Sequence, residues 1–190
     1  MNEATLIIAL HQLLFQGLFL AKNLSLRIKL GKPIRGDNPE ARRAVAFFIL
    51  FILVALYFAS SDSPFARIRL LPGEMAAGLS LLLLGFNLVF GIASLRDLGE
   101  SWRVGVIEEQ ATELVEDGIY RFTRNPYFVS YLLMFAAYTV LLQNLALFAL
   151  SFIGFALVHG MILKEEAYLE SVHGEDYRAY KQRVPRYLLL

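Results

Sequence analysis

The 190-residue chain is 57% hydrophobic and only 18% charged, with a mean hydropathy of +0.52, well above the roughly 45–50% apolar content of a soluble domain. Eighteen basic and seventeen acidic residues nearly cancel to +1, so nothing in the charge balance argues for a nucleic-acid partner. The absence of cysteine excludes disulfides, thiolate metal sites, iron–sulfur clusters and cysteine nucleophiles, and three scattered histidines make no metal site.

Five apolar stretches follow in chain order, at 5–21, 44–59, 75–95, 127–142 and 145–164. A membrane span needs about 20 apolar residues, with a range of about 17–25, so the composition predicts a polytopic, all-helical integral membrane protein with five spans. The first stretch follows Glu3 and has no basic flank, so it does not read as a signal peptide. His11, Gln12 and Gln16 lie on it at helical spacings, and Asn87 and His159 are single polar residues within later spans. Such residues either serve a function or hydrogen-bond between helices. The last two spans are separated by Gln143 and Asn144 alone, which predicts a tight helical hairpin.

The basic residues fall unevenly between the spans. Seven lie between the first two (Lys22, Arg27, Lys29, Lys32, Arg35, Arg42 and Arg43), and the segment also suits contact with anionic membrane lipids. Arg67 and Arg69 form the next connection, four arginines the third (96, 103, 121 and 124), and five basic residues the tail from Lys164 onward. Sixteen thus fall on one side of the membrane and two on the other, which predicts an outside N-terminus and a cytoplasmic C-terminus. Two cytoplasmic segments exceed simple connectors. The 96–125 loop has short apolar runs with turn signals, suggesting brief extended pieces. The tail from Glu165 reads as two helical pieces broken at Gly174, with Glu175 and Asp176 opening the second.

Two clusters carry possible chemistry. In "RNP", Asn125 is a preferred N-cap, and Pro126 suits the first helical position. With Arg124 as a topology signal, capping explains the triplet without a ligand. Yet a helix from 126 to 142 is about 25 Å long at roughly 1.5 Å per residue, against a hydrocarbon core of about 30 Å. Its start would then sit inside the boundary, where a helix N-terminus beside an arginine attracts anionic groups. In "KEE", Lys164, Glu165 and Glu166 read either as a solvated helix end or as a ligand site beneath the loop. The hairpin would bring Tyr127 and Lys164 to one membrane face.

These segments resemble a known family. "ELVEDGIYRFTRNPYFVSYLL" resembles the signature of isoprenylcysteine carboxyl methyltransferases and related bacterial phospholipid-type methyltransferases, an L-V-x-x-G-x-Y followed by R-[HN]-P-x-Y. "KEEAYLESVHGEDYRAYKQRVPRYLL" is similar to the family's closing segment, and "DLGESWR" to its L-G-x-x-W stretch. The likeness runs over about 95–186. It implies a single membrane methyltransferase domain over 1–190, with three N-terminal spans in 1–95 and a cofactor-binding catalytic half in 96–190. It implies S-adenosylmethionine as cofactor, cytoplasmic helices covering the cofactor, and a lipophilic acceptor arriving from the bilayer.

By the same resemblance, Leu114, Val115, Gly118 and Tyr120 would shape the cofactor-side loop, and Arg124, Asn125, Pro126 and Tyr127 would lie against the cofactor. Glu165 and Glu166 would hold polar cofactor groups or position the acceptor, and Tyr177, Tyr180 and Arg186 would complete the roof. Arg124, Glu165 and Glu166 are the expected catalytic residues. Asn125 stands where eukaryotic members have histidine and bacterial relatives commonly have asparagine, so the implied cofactor binding stands; a bacterial or archaeal inner membrane is the expected location. Phe128 replaces the motif tyrosine, which leaves acceptor preference open.

A carboxylate acceptor would need only a cation such as Arg124 to orient it, whereas an amine would need a proton acceptor. A prenylcysteine-like carboxylate and a lipid amine both stay open. So do a membrane reductase of a sterol- or quinone-like lipid on a related scaffold, a non-enzymatic lipid-binding subunit, and the oligomeric state.

Overall fold

The computed structural model describes residues 2–31, 39–61, 63–103 and 113–188. Six helices follow in order: α1 (Glu3–Leu30), α2 (Pro39–Ser60), α3 (Gly73–Asp97), α4 (Pro126–Leu142), α5 (Leu145–His173) and α6 (Glu175–Arg183). Short 3-10 turns occupy Gly99–Ser101 and Gly118–Arg121. Lys32, Arg35 and the "VGVIEE" run lie outside the described residues. Among the described residues there is no strand; of the expected extended pieces in the third connection, the described part, 113–121, ends in the 3-10 turn at Gly118–Arg121.

Four helices, α1, α2, α3 and α5, are long and apolar enough to cross a membrane; α4 is a shorter apolar helix. Two of them outrun their apolar stretches. α1 continues to Leu30 and so carries Arg27 and Lys29 in its last turn before Gly31 closes it in the left-handed region. α5 continues past Lys164 to His173, where Gly174 at φ +53 breaks the chain and α6 begins with Glu175 and Asp176. Both tail helices expected from the sequence are therefore present, the first as the outward extension of α5.

One end of the bundle is organised by the hairpin turn. Gln143 ends α4 in the left-handed region at φ 44, and the Asn144 side chain caps α5 by accepting from Ala146 N and Leu147 N. The α2–α3 connection docks on this turn: Leu70 N and Leu71 N both donate to Gln143 Oε1 at 2.8 Å. Asn2 Nδ2 donates to Ala59 O, placing the start of α1 at the same end. At the opposite end, Trp102 Nε1 donates to Asn23 Oδ1 at 2.8 Å, Lys29 pairs with Glu100, and Lys164 pairs with Glu40. The starts of α2 and α4, the ends of α1 and α3, and the polar extension of α5 thus share one face.

The core between them is apolar and aromatic, with Phe51, Met134, Phe135, Tyr138, Val158 and Ile162 all buried. Gly154 lets α5 approach, because a Cβ there would lie 2.6 Å from a Phe135 ring carbon and 2.9 Å from one of Phe47. Large apolar side chains such as Leu13, Leu14, Phe86 and Phe152 point outward, as a lipid-facing surface requires and a water-facing one would not tolerate.

His11, Gln12 and Asn87 resolve as interhelical contacts. His11 Nδ1 meets Tyr138 Oη at 2.7 Å and Nε2 meets Asn87 Oδ1 at 2.8 Å. Asn87 Nδ2 donates to Ser130 O, and Gln12 Nε2 donates to Tyr138 Oη. The network ties α1, α3 and α4 together without leaving His11 or Asn87 orphaned in an apolar setting. His159 Nδ1 lies 2.9 Å from Tyr187 Oη.

Candidate functional site

The start of α4 is where the two sequence clusters meet. Pro126 occupies the first helical position, and Asn125 sits in the cap position, but the Asn125 side chain does not cap the helix. It donates through Nδ2 to Glu166 Oε1 and to Arg186 O, both at 3.2 Å. The expected cap is thus corrected: the side chain is oriented by the charge-assisted bond its Nδ2 donates to the carboxylate on α5, and its oxygen takes no capping bond from the backbone N–H groups.

Arg124 is held even more completely. Its Nε and Nη2 donate to Glu166 Oε1 at 3.2 and 3.0 Å, and its Nη1 donates to Lys181 O and Val184 O. Its backbone N–H donates to Pro185 O at 3.0 Å. Arg186 closes the group with Nη2 on Glu166 Oε2 at 2.8 Å and Nε on Oε1 at 3.1 Å, and the hydrogen bond it donates to Glu166 raises its guanidinium above the ordinary pKa. The Arg124 and Glu166 side chains are 7% and 5% exposed. Residues 184–186 therefore form a strap laid across the start of α4 and riveted through one buried carboxylate.

The roof is built from α6 and the 118–121 turn. Tyr177, Tyr180 and Val184 pack with Leu114 and Leu169, and Tyr180 Oη donates to Tyr120 O at 2.7 Å. Burial pushes the phenols of Tyr120, Tyr177 and Tyr180 above their ordinary value, so all three stay neutral. The turn is anchored by Asp97, whose Oδ2 accepts from Ile119 N at 2.8 Å. Gly118 has φ +62, and a Cβ there would lie 2.1 Å from Asp97 Oδ2. Only glycine satisfies both conditions.

Under this roof lies a cavity of about 210 Å³. Leu114, Val115, Tyr120, Arg124, Asn125, Pro126, Tyr127, Glu165, Tyr177 and Tyr180, all expected from the sequence, line it. Gly118, Glu166 and Arg186 do not. They stand behind its wall, Gly118 shaping the turn and the other two fastening the strap. The two adjacent glutamates thus divide the work: Glu166 turns to the arginines, and Glu165 faces the cavity with no hydrogen bond or ion pair among the described residues. The Tyr127 hydroxyl is likewise buried without a hydrogen-bond partner among the described residues.

Sequence reasoning missed one wall. Phe19, Phe48, Trp102 and Tyr131 line the cavity beside Tyr127, with Trp102 and Tyr127 ring centroids 4.7 Å apart and Phe48 and Tyr131 at 4.3 Å. Tyr131 was accessible from its i+4 spacing to Tyr127, and Trp102 from the L-G-x-x-W stretch; Phe19 comes from a distant helix and carries no local signal. The arrangement offers a carboxylate without a partner among the described residues and aromatic faces suited to cations or planar rings.

Residues 74–176 match the phospholipid methyltransferase family, from the start of α3 into α6. A 63-residue stretch is 46% identical to a Haemophilus influenzae protein described only as uncharacterised, covering 32% of this chain and 98% of that one. Since the family match spans more than half of a helical bundle with four helices long and apolar enough to cross a membrane, the chain belongs to the phospholipid methyltransferase family, a family of membrane methyltransferases.

Proposed function

We propose that the protein transfers a methyl group from S-adenosylmethionine to a lipid amine at the cytoplasmic face of a bacterial or archaeal inner membrane. The observation that carries this reading is the single cavity joining a polar, tyrosine-roofed end to a membrane-facing cleft, with the unpaired Glu165 inside it. The residues present fit the cofactor: aromatic faces, an unpartnered tyrosine hydroxyl and a lone carboxylate suit a molecule with a purine ring and two cationic centres. Leu114, Val115, Tyr120, Asn125, Pro126, Tyr127, Glu165, Tyr177 and Tyr180 would hold it. When bound, it supplies an activated methyl on a sulfonium, open to direct displacement.

The chain's own contribution is alignment and exclusion of water. Of the two acceptor classes, the geometry favours the amine. Arg124 is committed to Glu166 and to two backbone carbonyls, so it is not free to orient a substrate carboxylate. Glu165 can accept the proton that an amine must lose. Five spans with the N-terminus outside complete the reading, supported by the Gln143 turn meeting the α2–α3 connection at the far end.

Calorimetric titration of S-adenosylmethionine into the purified protein, with labelled methyl transfer to lipid amines and to a prenylcysteine analogue, tests the proposal. Binding and preferential labelling of amines are expected. No binding in the wild type, or equal behaviour of wild type, Arg124→Ala and Glu165→Ala, would refute it.

A further inference from the structure

The end of the bundle away from the tyrosine roof holds another cavity, also of about 210 Å³, against the roughly 10–15 Å³ that a single water needs. The start of α1, the end of α2 and the α4–α5 turn wall it, and the α2–α3 connection crosses it with Arg67. That connection is fixed to the turn by backbone bonds. Ile68 N donates to Gln143 O and Leu145 N donates to Ala66 O, both at 2.8 Å, so Arg67 pairs antiparallel with Asn144. Arg67 is therefore presented from an ordered edge.

The two asparagines that line the cavity are already committed. Asn144 Oδ1 caps α5 and its Nδ2 donates to Phe65 O at 3.0 Å. Asn2 Oδ1 accepts from Thr5 N and Thr5 Oγ1, and its Nδ2 donates to Ala59 O. Three lining side chains are left with donors to give. The Arg67 guanidinium makes no hydrogen bond or ion pair among the described residues. Ser61 Oγ is buried with no partner among them. Ser63 Oγ only accepts, from Phe65 N at 3.3 Å, so its proton is free. No carboxylate among the described residues lines the space: Glu3 is exposed and outside it, and Asp62 lies outside the described residues. One permanent cation with two hydroxyls is a donor set for an anion, and the planar guanidinium fork matches phosphate oxygens.

The surroundings indicate where that anion sits. Phe65 and Leu70, on the same connection, are 67% and 78% exposed, as residues facing lipid are. Topology gives no reason for the arginine, because the uneven charge pattern leaves this side with Arg67 and Arg69 alone. We propose that this cavity binds a phosphate group through Arg67, Ser61 and Ser63, with a bilayer lipid headgroup as the phosphate its apolar rim favours. The site is separate from the roofed cavity and independent of the methyl-transfer reading.

The chain has no cysteine, so Ala4→Cys places a single thiol on the cavity wall without touching a proposed donor. Its rate of modification by methyl methanethiosulfonate is followed by mass spectrometry in a neutral detergent. Dihexanoyl phosphatidylglycerol at ten times its half-protecting concentration should slow modification about tenfold by mass action. Dioctanoylglycerol, which lacks the phosphate, should not. Half-protection by the lipid at a much lower concentration than by inorganic phosphate identifies a headgroup site. Equal or better protection by inorganic phosphate identifies a site for the free ion. Adding Arg67→Gln should raise the half-protecting concentration about 10–100-fold, the loss of a charged hydrogen-bond donor. Arg69→Gln, an equal change of charge on an exposed residue that does not line the cavity, should shift it less than about twofold, since screening weakens distant charges. Should Ala4→Cys fail to fold, calorimetric titration of the same three ligands into wild type, Arg67→Gln and Arg69→Gln gives the same comparison. No protection or binding by either phosphate, protection by dioctanoylglycerol equal to that by the phospholipid, or equal behaviour of the two arginine variants overturns the proposal.

Discussion

Replacing Glu166 with alanine tests whether the strap is fastened as the structure describes. The carboxylate accepts from Arg124, Asn125 and Arg186 at 2.8–3.2 Å, with its own side chain 5% and that of Arg124 7% exposed. Removing one partner of a buried ion pair costs about 3–5 kcal/mol, because the other charge is left buried and uncompensated. For a chain of this size each kcal/mol moves the melting temperature by about 2–4 °C, so a fall of about 6–20 °C is expected. Thermal unfolding in detergent measures it. Arg124→Gln alone should also destabilise, but the double variant should lose less than the sum, with a coupling of about 1 kcal/mol or more. Glu166→Ala melting within about 2 °C of wild type would refute the reasoning and return Arg124 to the role of a free substrate-binding cation.

Glu165→Gln should do the reverse: melting should be little changed, because the carboxylate has no partner to lose among the described residues, while methyl transfer should fall by about 10²–10⁴-fold if it acts as the proton acceptor. Gly118→Ala should cost about 1–3 kcal/mol through its left-handed backbone and its clash with Asp97. Adding Asp97→Ala should relieve the clash but not the backbone strain, which paired melting curves would reveal as less than additive loss. The phenols of Tyr120, Tyr177 and Tyr180 are raised by burial, so the native state favours their protonated form. Their contribution is fully present below the ordinary tyrosine value of about 10 and is lost as pH rises through the folded values. Tyrosinate absorbance should therefore appear together with loosening of α6, and ionisation of all three at the ordinary value without loss of structure would contradict their burial.

Much of this was legible from the sequence because membrane insertion is read locally. Apolar runs gave the helices, Gln143–Asn144 gave the hairpin, and Gly174 marked the break before α6. What was not legible depends on contacts distant in sequence. α1 runs on to Leu30 because a helix does not stop where the hydrocarbon does. Asn125 has the local preferences of a cap, but its side chain answers to Glu166, 41 residues away. Glu165 and Glu166 are neighbours in sequence yet about 100° apart around a helix of 3.6 residues per turn, so adjacency could not say which faces the cavity and which the arginines. The aromatic wall needed Phe19 from α1 beside Tyr127 from α4, a pairing that no single segment encodes.

The strap at 184–186 also separates the packing of the helices from the completion of the cavity. The α4–α5 hairpin brings Arg124's neighbourhood and Glu166 to one end, but the carbonyl of Val184 and the guanidinium of Arg186 come from beyond α6. A chain cut after Arg183 is expected to keep its helices and to lose the fastening of its lid, so a folded bundle and a finished cavity wall are two distinct achievements of one sequence.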